Sequence, residues 1–195
     1  MEGGKRVRKI GLFGGTFDPP HIGHLILAEE ARAKAVLDEV WFLPTYIPPH
    51  KNRVVSDPHH RIEMVKRAIA SNPSFSLSLI EHERKGLSYT IDTVEALKEE
   101  YPDVAFFFLL GGDMVNDLPN WYRVQDLIKK VTFVAFERSG YPLDPISHLD
   151  IVYAQMPTID ISSTVLREKV KRNEPIRYYL PESVKDYIEE TGLYG

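Results

Sequence analysis

Short apolar segments rich in β-branched and aromatic residues alternate along the chain with stretches of helical periodicity. The apolar segments lie at Lys9–Phe13, Glu39–Pro44, Phe75–Ile80, Val104–Leu110, Val131–Phe136 and Ile151–Ala154. Each has the length and composition of a strand, and VAFFFLL, the fourth, lacks the polar alternation of a strand with one solvated face. Strands that alternate with helices predict an α/β fold, a doubly wound, Rossmann-like parallel sheet of about five or six strands with helices on both faces.

Three internal stretches repeat apolar residues at the spacing of one helix face, and we expect them to be crossover helices. They are marked by Leu27, Ala28, Ala31 and Ala35, by Ile62, Val65 and Ile69, and by Ile91, Val94 and Leu97. A last helix is predicted between Pro181 and Gly192, because proline precedes it and glycine can end it. We expect a single domain over residues 1–195, with C-terminal helices in residues 162–195 packed on it.

The first predicted strand runs directly into the glycine-rich stretch GLFGGTFDPPHIGHL. In a doubly wound sheet, ligands bind beyond the carboxyl ends of the strands, and the first strand-to-helix turn often holds phosphate. Gly14 and Gly15 allow backbone N–H groups to approach an anion, and His21 and His24 would share one face of a helix. On the residues alone, a structural turn with Asp18 as a helix cap and hydrogen-bonded histidines is an equal alternative. A metal site is disfavoured, because two histidines at this spacing need further ligands.

Composition restricts the classes of partner. The 195 residues include 24 Lys and Arg against 28 Asp and Glu, a formal net charge of −4 that gives no general attraction to nucleic acid or to an anionic membrane. The absence of cysteine excludes disulfides and thiol catalysis. No apolar run approaches the roughly 20 residues of a membrane helix. We therefore expect a cytoplasmic protein that binds small molecules.

Two long motifs resemble the signatures of the nucleotidyltransferase superfamily. GGTFDPPHIGH is similar to its H-x-G-H signature, and ISSTVLREKV, residues 161–170, is similar to its I-S-S-T-x-x-R signature. Five shorter stretches are similar to bacterial nicotinate mononucleotide adenylyltransferases: IPPHK (47–51), SYTIDTVEAL (88–97), LLGGDM (109–114), LPNWYR (118–123) and IEETGLYG (188–195). Together these matches cover nearly the whole chain. Gly112 is a departure, because the family usually has alanine there.

This resemblance implies an enzyme of NAD biosynthesis that transfers the adenylyl group of ATP to nicotinate mononucleotide. The products would be nicotinate adenine dinucleotide and pyrophosphate. Mg²⁺ would accompany ATP and be held mainly by the substrate phosphates, so no protein metal ligands are expected. A homodimer is compatible with the sequence, which indicates no interface for it.

The resemblance also implies roles for particular residues. Those expected to take part in catalysis are Thr16, His21, His24 and Arg167. Those expected to bind ATP are Gly14, Gly15, Thr16, Phe17, His21, Gly23, His24, Gly111, Asp113, Ile161, Ser162, Ser163, Thr164 and Arg167. Those expected to bind the mononucleotide are His50, Lys51, Tyr89, Thr90, Trp121 and Tyr122. Structural alternatives stay open: hydroxyl or carboxylate capping of helices for Ser162–Thr164 and Asp113, core packing for Trp121 and Tyr122, and a mobile polar loop for residues 44–60.

Two other functions are compatible with the sequence. One is an adenylyltransferase of the same superfamily that acts on nicotinamide mononucleotide or phosphopantetheine, against which IPPHK, SYT and NWY argue. The other is a nucleotide-binding sensor without catalytic activity. A sensor has no need for the complete set of Thr16, His21, His24 and Arg167.

Overall fold

A six-stranded, wholly parallel sheet forms the centre of the protein, whose structure is a computed structural model that describes residues 6–47, 56–136, 151–154 and 159–195. The strands are Arg8–Gly15 (β1), Glu39–Pro44 (β2), Phe75–Leu77 (β3), Val104–Gly111 (β4), Thr132–Phe136 (β5) and Ile151–Ala154 (β6). Their spatial order is β3-β2-β1-β4-β5-β6. The predicted doubly wound α/β fold is confirmed.

Eight α-helices connect or follow the strands within the described residues. They are Ile22–Lys34 (α1), Pro58–Ile69 (α2), Ile80–Arg84 (α3), Thr90–Glu100 (α4), Gly112–Asp117 (α5), Val124–Leu127 (α6), Ser163–Lys171 (α7) and Glu182–Thr191 (α8). A single 3-10 turn, Leu118–Asn120, lies between α5 and α6. The prediction that the third strand reaches Ile80 is wrong, since β3 ends at Leu77 and Ile80 begins α3. The helices α3, α5 and α6 are too short to show a helical period in the sequence.

Each face of the sheet carries its own apolar core. Helices α1, α2, α7 and α8 bury residues on one face, and α3, α4, α5 and α6 bury residues on the other. Within β4, Leu109 belongs to the first cluster while Phe106, Phe108 and Leu110 belong to the second. The unbroken apolar sequence of this strand is therefore explained by helices on both of its faces.

Helix α8 has the predicted boundaries and packs onto the first core cluster. Pro181 caps its N-terminus, and Gly192, with a φ of +65°, ends it in the left-handed conformation. Val184, Tyr187 and Ile188 are buried against the rest of the cluster. In the described part of the chain, no helix has both the length and the apolar character needed to cross a bilayer.

Candidate active site

The predicted ligand-binding edge of the sheet lies where β1 and β4 end. Strand order reverses between these two neighbours, since β2 and β3 follow on one side and β5 and β6 on the other. Such a reversal opens a crevice at the carboxyl ends of the strands. Gly14 and Gly15 end β1, and Gly111 ends β4, so residues of the first motif and of LLGGDM meet at this edge.

The turn after β1 is fixed by aromatic side chains packed against its backbone and by a backbone hydrogen bond. Phe17 has a φ of +51° and is 2% exposed, so its ring is part of the core. A Cβ atom on Gly15 would lie 2.8 Å from Cζ of Phe17, and one on Gly14 would lie 3.4 Å from Cζ of Phe108. The N–H of Thr45 donates to the carbonyl of Gly15 over 2.9 Å. Glycine is thus required at position 15 because the Phe17 ring approaches the backbone there.

The two predicted catalytic histidines lie together at the start of α1. His21 is the N-cap residue, and the Nδ1 atom of His24 accepts a hydrogen bond from the backbone N–H of His21 over 3.1 Å. The two rings are stacked, with centroids 3.7 Å apart. Because Nδ1 of His24 is an acceptor, the proton of the neutral ring is on Nε2, which is a donor. The alternative in which Asp18 caps this helix is wrong, because the N-cap residue is His21 and the helix begins at Ile22.

Gly23 has a second reason to be glycine besides leaving room for a ligand. A Cβ atom at this position would lie 3.1 Å from Nδ1 of His21, closer than nearly all Cβ contacts in proteins. A side chain here would displace the His21 ring from its stacked position. The same helix start is fixed from the C-terminal region, since the N–H of Ile22 donates to the carbonyl of Tyr179 over 2.9 Å.

The second motif, at the start of α7, contacts the first motif directly. Nη1 of Arg167 donates to the carbonyl of Asp18 over 2.6 Å, and Nη2 donates to the hydroxyl of Thr164 over 3.2 Å. The Ser163 hydroxyl donates to the carbonyl of Pro19 over 2.8 Å. The guanidinium therefore contacts the turn that leads into the histidine pair, although the two motifs are far apart in sequence.

Ser162 has a structural role in this arrangement. It is the N-cap residue of α7, and its hydroxyl accepts from the N–H of Val165 over 3.3 Å. The capping alternative is thus observed for this serine. Ile161, just before it, packs against the first core cluster.

Asp18 joins this turn to two other parts of the chain, which sequence reasoning missed. The carboxylate is 3% exposed; Oδ1 accepts from the Tyr194 hydroxyl over 2.6 Å, and Oδ2 accepts from the N–H of Ser56 over 3.2 Å. Nη1 of Arg167 lies 4.0 Å from Oδ2. Burial and the charge of Asp18 raise the pKa of Tyr194, so its hydroxyl keeps its proton and remains a donor. The only hint in the sequence was the similarity of the C-terminal residues GLYG to the family, and that similarity indicated no role for Tyr194.

Four aromatic and hydroxyl residues predicted to hold the pyridine ring lie near the starts of α4 and α6. The rings of Tyr89 and Tyr122 are in contact, with centroids 4.8 Å apart. Trp121 meets Phe108 edge to face at 5.7 Å, and Phe108 also lies beneath Gly14. Thr90 is the first residue of α4, next to Tyr89. The core-packing alternative applies to Trp121, which packs against the second cluster, and not to Tyr122, which is 55% exposed.

Three predicted site residues cannot be placed. His50 and Lys51 lie outside the described residues. Asp113 belongs to the first turn of α5, but its side chain is outside the described part of the structure. Their roles stay predictions.

Comparison with known proteins decides the family. The profile of the family described as cytidylyltransferase-like matches residues 12–169. A Bacillus subtilis (strain 168) protein named nicotinate-nucleotide adenylyltransferase is 48% identical over 189 residues, which cover 96% of this chain and 99% of that protein. A probable nicotinate-nucleotide adenylyltransferase of Bacillus pumilus (strain SAFR-032) is 49% identical with the same coverage. The chain belongs to the nicotinate-nucleotide adenylyltransferase family.

Solved structures agree on the fold of this adenylyltransferase. The nicotinic acid mononucleotide adenylyltransferase of Plasmodium falciparum, complexed with NaAD, matches with a TM-score of 0.84 at 22% identity, over 96% of this chain and 97% of that one. The same protein complexed with APC matches with a TM-score of 0.82. The family and enzyme class predicted from the motifs are confirmed.

A partly buried acid, Glu81, supports the helix that begins at Tyr89 and Thr90 of the adenylyltransferase. The hydroxyl of Thr93 donates to Oε1 of Glu81 over 3.1 Å and also reaches the carbonyl of Tyr89. Burial raises the pKa of Glu81, while the hydroxyls of Ser88 and Thr93 act in the opposite direction. The folded protein therefore holds this proton to a higher pH than the unfolded chain does.

Replacing Glu81 with glutamine is expected to change stability in a pH-dependent way. Below the pKa of the unfolded chain, 4.5, both states are protonated and Glu81 makes no pH-dependent contribution to stability. As the pH rises, the unfolded chain ionises first, so the parent loses stability that the variant keeps. The unfolding free energy of Glu81→Gln relative to the parent should grow by roughly 1 kcal/mol between pH 4.5 and pH 7.5, measured by urea denaturation. Glu83→Gln, exposed on the same helix, is the control, and an equal growth there would contradict this account.

Proposed function

We propose that this protein transfers the adenylyl group of ATP to nicotinate mononucleotide and releases pyrophosphate. The observation that carries the proposal is the meeting of two distant motifs. The stacked pair of His21 and His24 begins the helix that follows the turn, and the guanidinium of Arg167 bonds to the same turn at Asp18, at the switch point of the sheet. The names of the relatives, which share nearly half of their residues with this chain, supply the two substrates.

The reaction requires two polyanions to meet in line. An oxygen of the mononucleotide 5′-phosphate attacks the α-phosphorus of ATP, and the bond from that phosphorus to the bridging oxygen breaks as pyrophosphate leaves. A phosphate is ionised at neutral pH, so no general base is required. The Nε2–H of His24 would donate to an α-phosphate oxygen as negative charge increases there. His21 stacks on His24 and would support this donation.

The leaving group needs positive charge. One donor of Arg167 bonds to the turn at Asp18, another bonds to Thr164 on its own helix, and the side chain is only 22% exposed. A planar guanidinium can bind phosphate oxygens through two donors at once. The first amides of α7 add partial positive charge at the same place. We assign the β- and γ-phosphates to this region.

We further propose that Mg²⁺ accompanies ATP. The Asp18 carboxylate already accepts from Tyr194 and Ser56, so the ion would be held by phosphate oxygens and water. When bound, the ion would neutralise charge on the leaving pyrophosphate. We also place the reaction in the cytoplasm, with small molecules as the partners.

Recognition of the mononucleotide would fall to the region around Tyr89 and Thr90. Its aromatic surface, which Tyr122 and Trp121 extend, suits a flat pyridine ring, and the Thr90 hydroxyl with nearby amides can bind a carboxylate. We assign the mononucleotide phosphate to His50 and Lys51 on the basis of the motif IPPHK.

Initial rates with nicotinate and nicotinamide mononucleotide at matched concentrations test the proposal. A site that donates hydrogen bonds to a carboxylate discriminates against the carboxamide, and we expect kcat/KM to be at least about 10²-fold higher for the nicotinate form. Pyrophosphate release with ATP and Mg²⁺ is the readout. Equal rates would show that the ring carboxylate is not recognised. ATP binding without pyrophosphate release from either substrate would favour the sensor function instead.

A further inference from the structure

One fully buried arginine lies beneath the active-site turn and has no part in the chemistry described above. Arg61 is on α2 and is 1% exposed. Within the described residues, no carboxylate comes within ion-pair distance of its guanidinium. Its hydrogen bonds go to four backbone carbonyls: Ser56 (from Nε, 3.1 Å), Thr16 (from Nη1, 3.1 Å), Thr45 (from Nη1, 2.7 Å) and Tyr46 (from Nη2, 3.3 Å).

The four carbonyls belong to three separate segments of the chain. Thr16 lies in the turn assigned to ATP, Thr45 and Tyr46 follow the end of β2, and Ser56 comes directly before α2. The last two segments flank the stretch that contains IPPHK, to which we assigned the mononucleotide phosphate. Because the guanidinium is a rigid planar fork, it fixes the three segments relative to one another.

The hydrogen bond to Thr16 also sets the orientation of a peptide group in the turn. In a trans peptide the C=O of one residue and the N–H of the next point in opposite directions. Arg61 holds the carbonyl of Thr16. The N–H of the same peptide group, which belongs to Phe17, is therefore directed away from the guanidinium. The turn thus presents a donor on the side opposite the buried arginine.

The positive charge of Arg61, like the orientation of this peptide group, favours an anion at the turn. Burial lowers the pKa of Arg61, while the charges of Asp18 and Asp57 act in the opposite direction. An arginine keeps its proton at neutral pH even so. A positive charge in a region of low dielectric, about one hydrogen-bond length from the turn, raises the electrostatic potential where a triphosphate would lie.

We propose that Arg61 is a positioning residue for adenylyl transfer, which holds the ATP turn and the two ends of the mononucleotide segment in one arrangement without touching either substrate. This inference rests on the proposed function. Loss of the guanidinium is expected to lower kcat/KM for both substrates. The ATP turn and the residues on either side of the mononucleotide segment bond to this same group. A residue that contacted one substrate would change the KM of that substrate alone.

Two substitutions separate the fork from the charge. Arg61→Lys keeps a positive charge and loses the fork, and Arg61→Met loses both. We expect kcat/KM to fall about tenfold for ATP and for nicotinate mononucleotide in Arg61→Lys, and about 10²-fold in Arg61→Met, as for small misplacements of reacting groups. Arg67→Lys is the matched control, because Arg67 lies on the same helix but contacts Glu63 and the Tyr187 ring at the surface.

The measurements are made on protein shown to be folded by circular dichroism and urea denaturation, and rates are expressed per folded molecule. If Arg61→Met does not fold, Arg61→Lys carries the test. A folded Arg61→Lys with parent values of kcat and of both KM values would overturn the inference. So would a loss confined to one substrate or to stability.

The failure of the proposed function can be distinguished from the failure of this inference. If the parent protein releases no pyrophosphate with either mononucleotide, the proposed function is wrong. The role of Arg61 is then tested by calorimetry with a non-hydrolysable ATP analogue. Arg61→Lys should bind it about tenfold more weakly than the parent does, and equal affinity would overturn the inference.

Discussion

Replacing His24 with alanine is expected to lower kcat by about 10²–10³-fold while the affinity for ATP changes by less than about tenfold. The reason is the fixed tautomer of this residue, because Nδ1 accepts from the N–H of His21 and leaves Nε2–H to donate. Charge accumulates on the α-phosphate in the transition state, so this donor acts more strongly there than on bound ATP. Steady-state rates and calorimetry with a non-hydrolysable ATP analogue measure the two quantities separately.

Alanine at position 24 removes the stacked ring and the acceptor for the N–H of His21 as well as the Nε2–H donor. Two further variants therefore isolate the effect of the donor. His24→Asn can still accept near the position of Nδ1, and His24→Gln can still donate near that of Nε2. We expect His24→Gln to retain the higher kcat. His59→Ala, exposed on α2, is the control for loss of a histidine. The proposed donation would be ruled out by a His24→Ala protein with near-parent turnover, or by His24→Asn exceeding His24→Gln.

Replacing Arg167 with lysine is expected to lower kcat by about 10²-fold and to raise the KM for ATP. Lysine keeps the charge but has no planar fork, so it cannot hold Asp18 and Thr164 together as the guanidinium does. The same loss of bidentate contact applies to the phosphates of the leaving group. Pyrophosphate release as a function of ATP concentration measures both constants.

Arg172→Lys is the matched control, because Arg172 follows the last turn of the same helix and its side chain is 68% exposed. Parent kinetics are expected there. Arg167 would have only a structural role if Arg167→Lys lost activity with an unchanged KM for ATP and urea denaturation showed that lower stability accounts for the loss. Nicotinate mononucleotide kinetics provide a second check, since its KM should change less than that of ATP.

Much of the fold could be predicted because hydrophobic periodicity is a local property. The segments from Lys9 and from Glu39 were predicted as strands on their apolar runs alone, and the structure has strands there. The error at Ile80 has the same origin, since an apolar run continues from β3 into α3 and periodicity alone does not show where the strand ends. The pairing of His21 with His24 was predictable for a similar reason, because residues three apart at a helix start lie on the same face.

The contacts that hold the site together could not be predicted in this way. Arg61 bonds only to carbonyl oxygens among the described residues, and every residue type has a carbonyl, so no residue pattern marks its partners. Sequence reasoning placed Ile62, Val65 and Ile69 on the buried face of α2; Val65 and Ile69 are buried there, but Ile62 is not and Arg61 is. Hydrophobic periodicity does not indicate a buried arginine, because arginine is mostly exposed in proteins.

The contact between Tyr194 and Asp18 joins positions that are 176 residues apart. Tyr194 follows α8, which contacts α2 and takes no part in the sheet. Detachment of this helix and the residues after it would leave all six strands paired and yet release the Asp18 carboxylate from one of its partners. We therefore expect thermal inactivation to begin at this C-terminal segment, at a lower temperature than melting of the sheet.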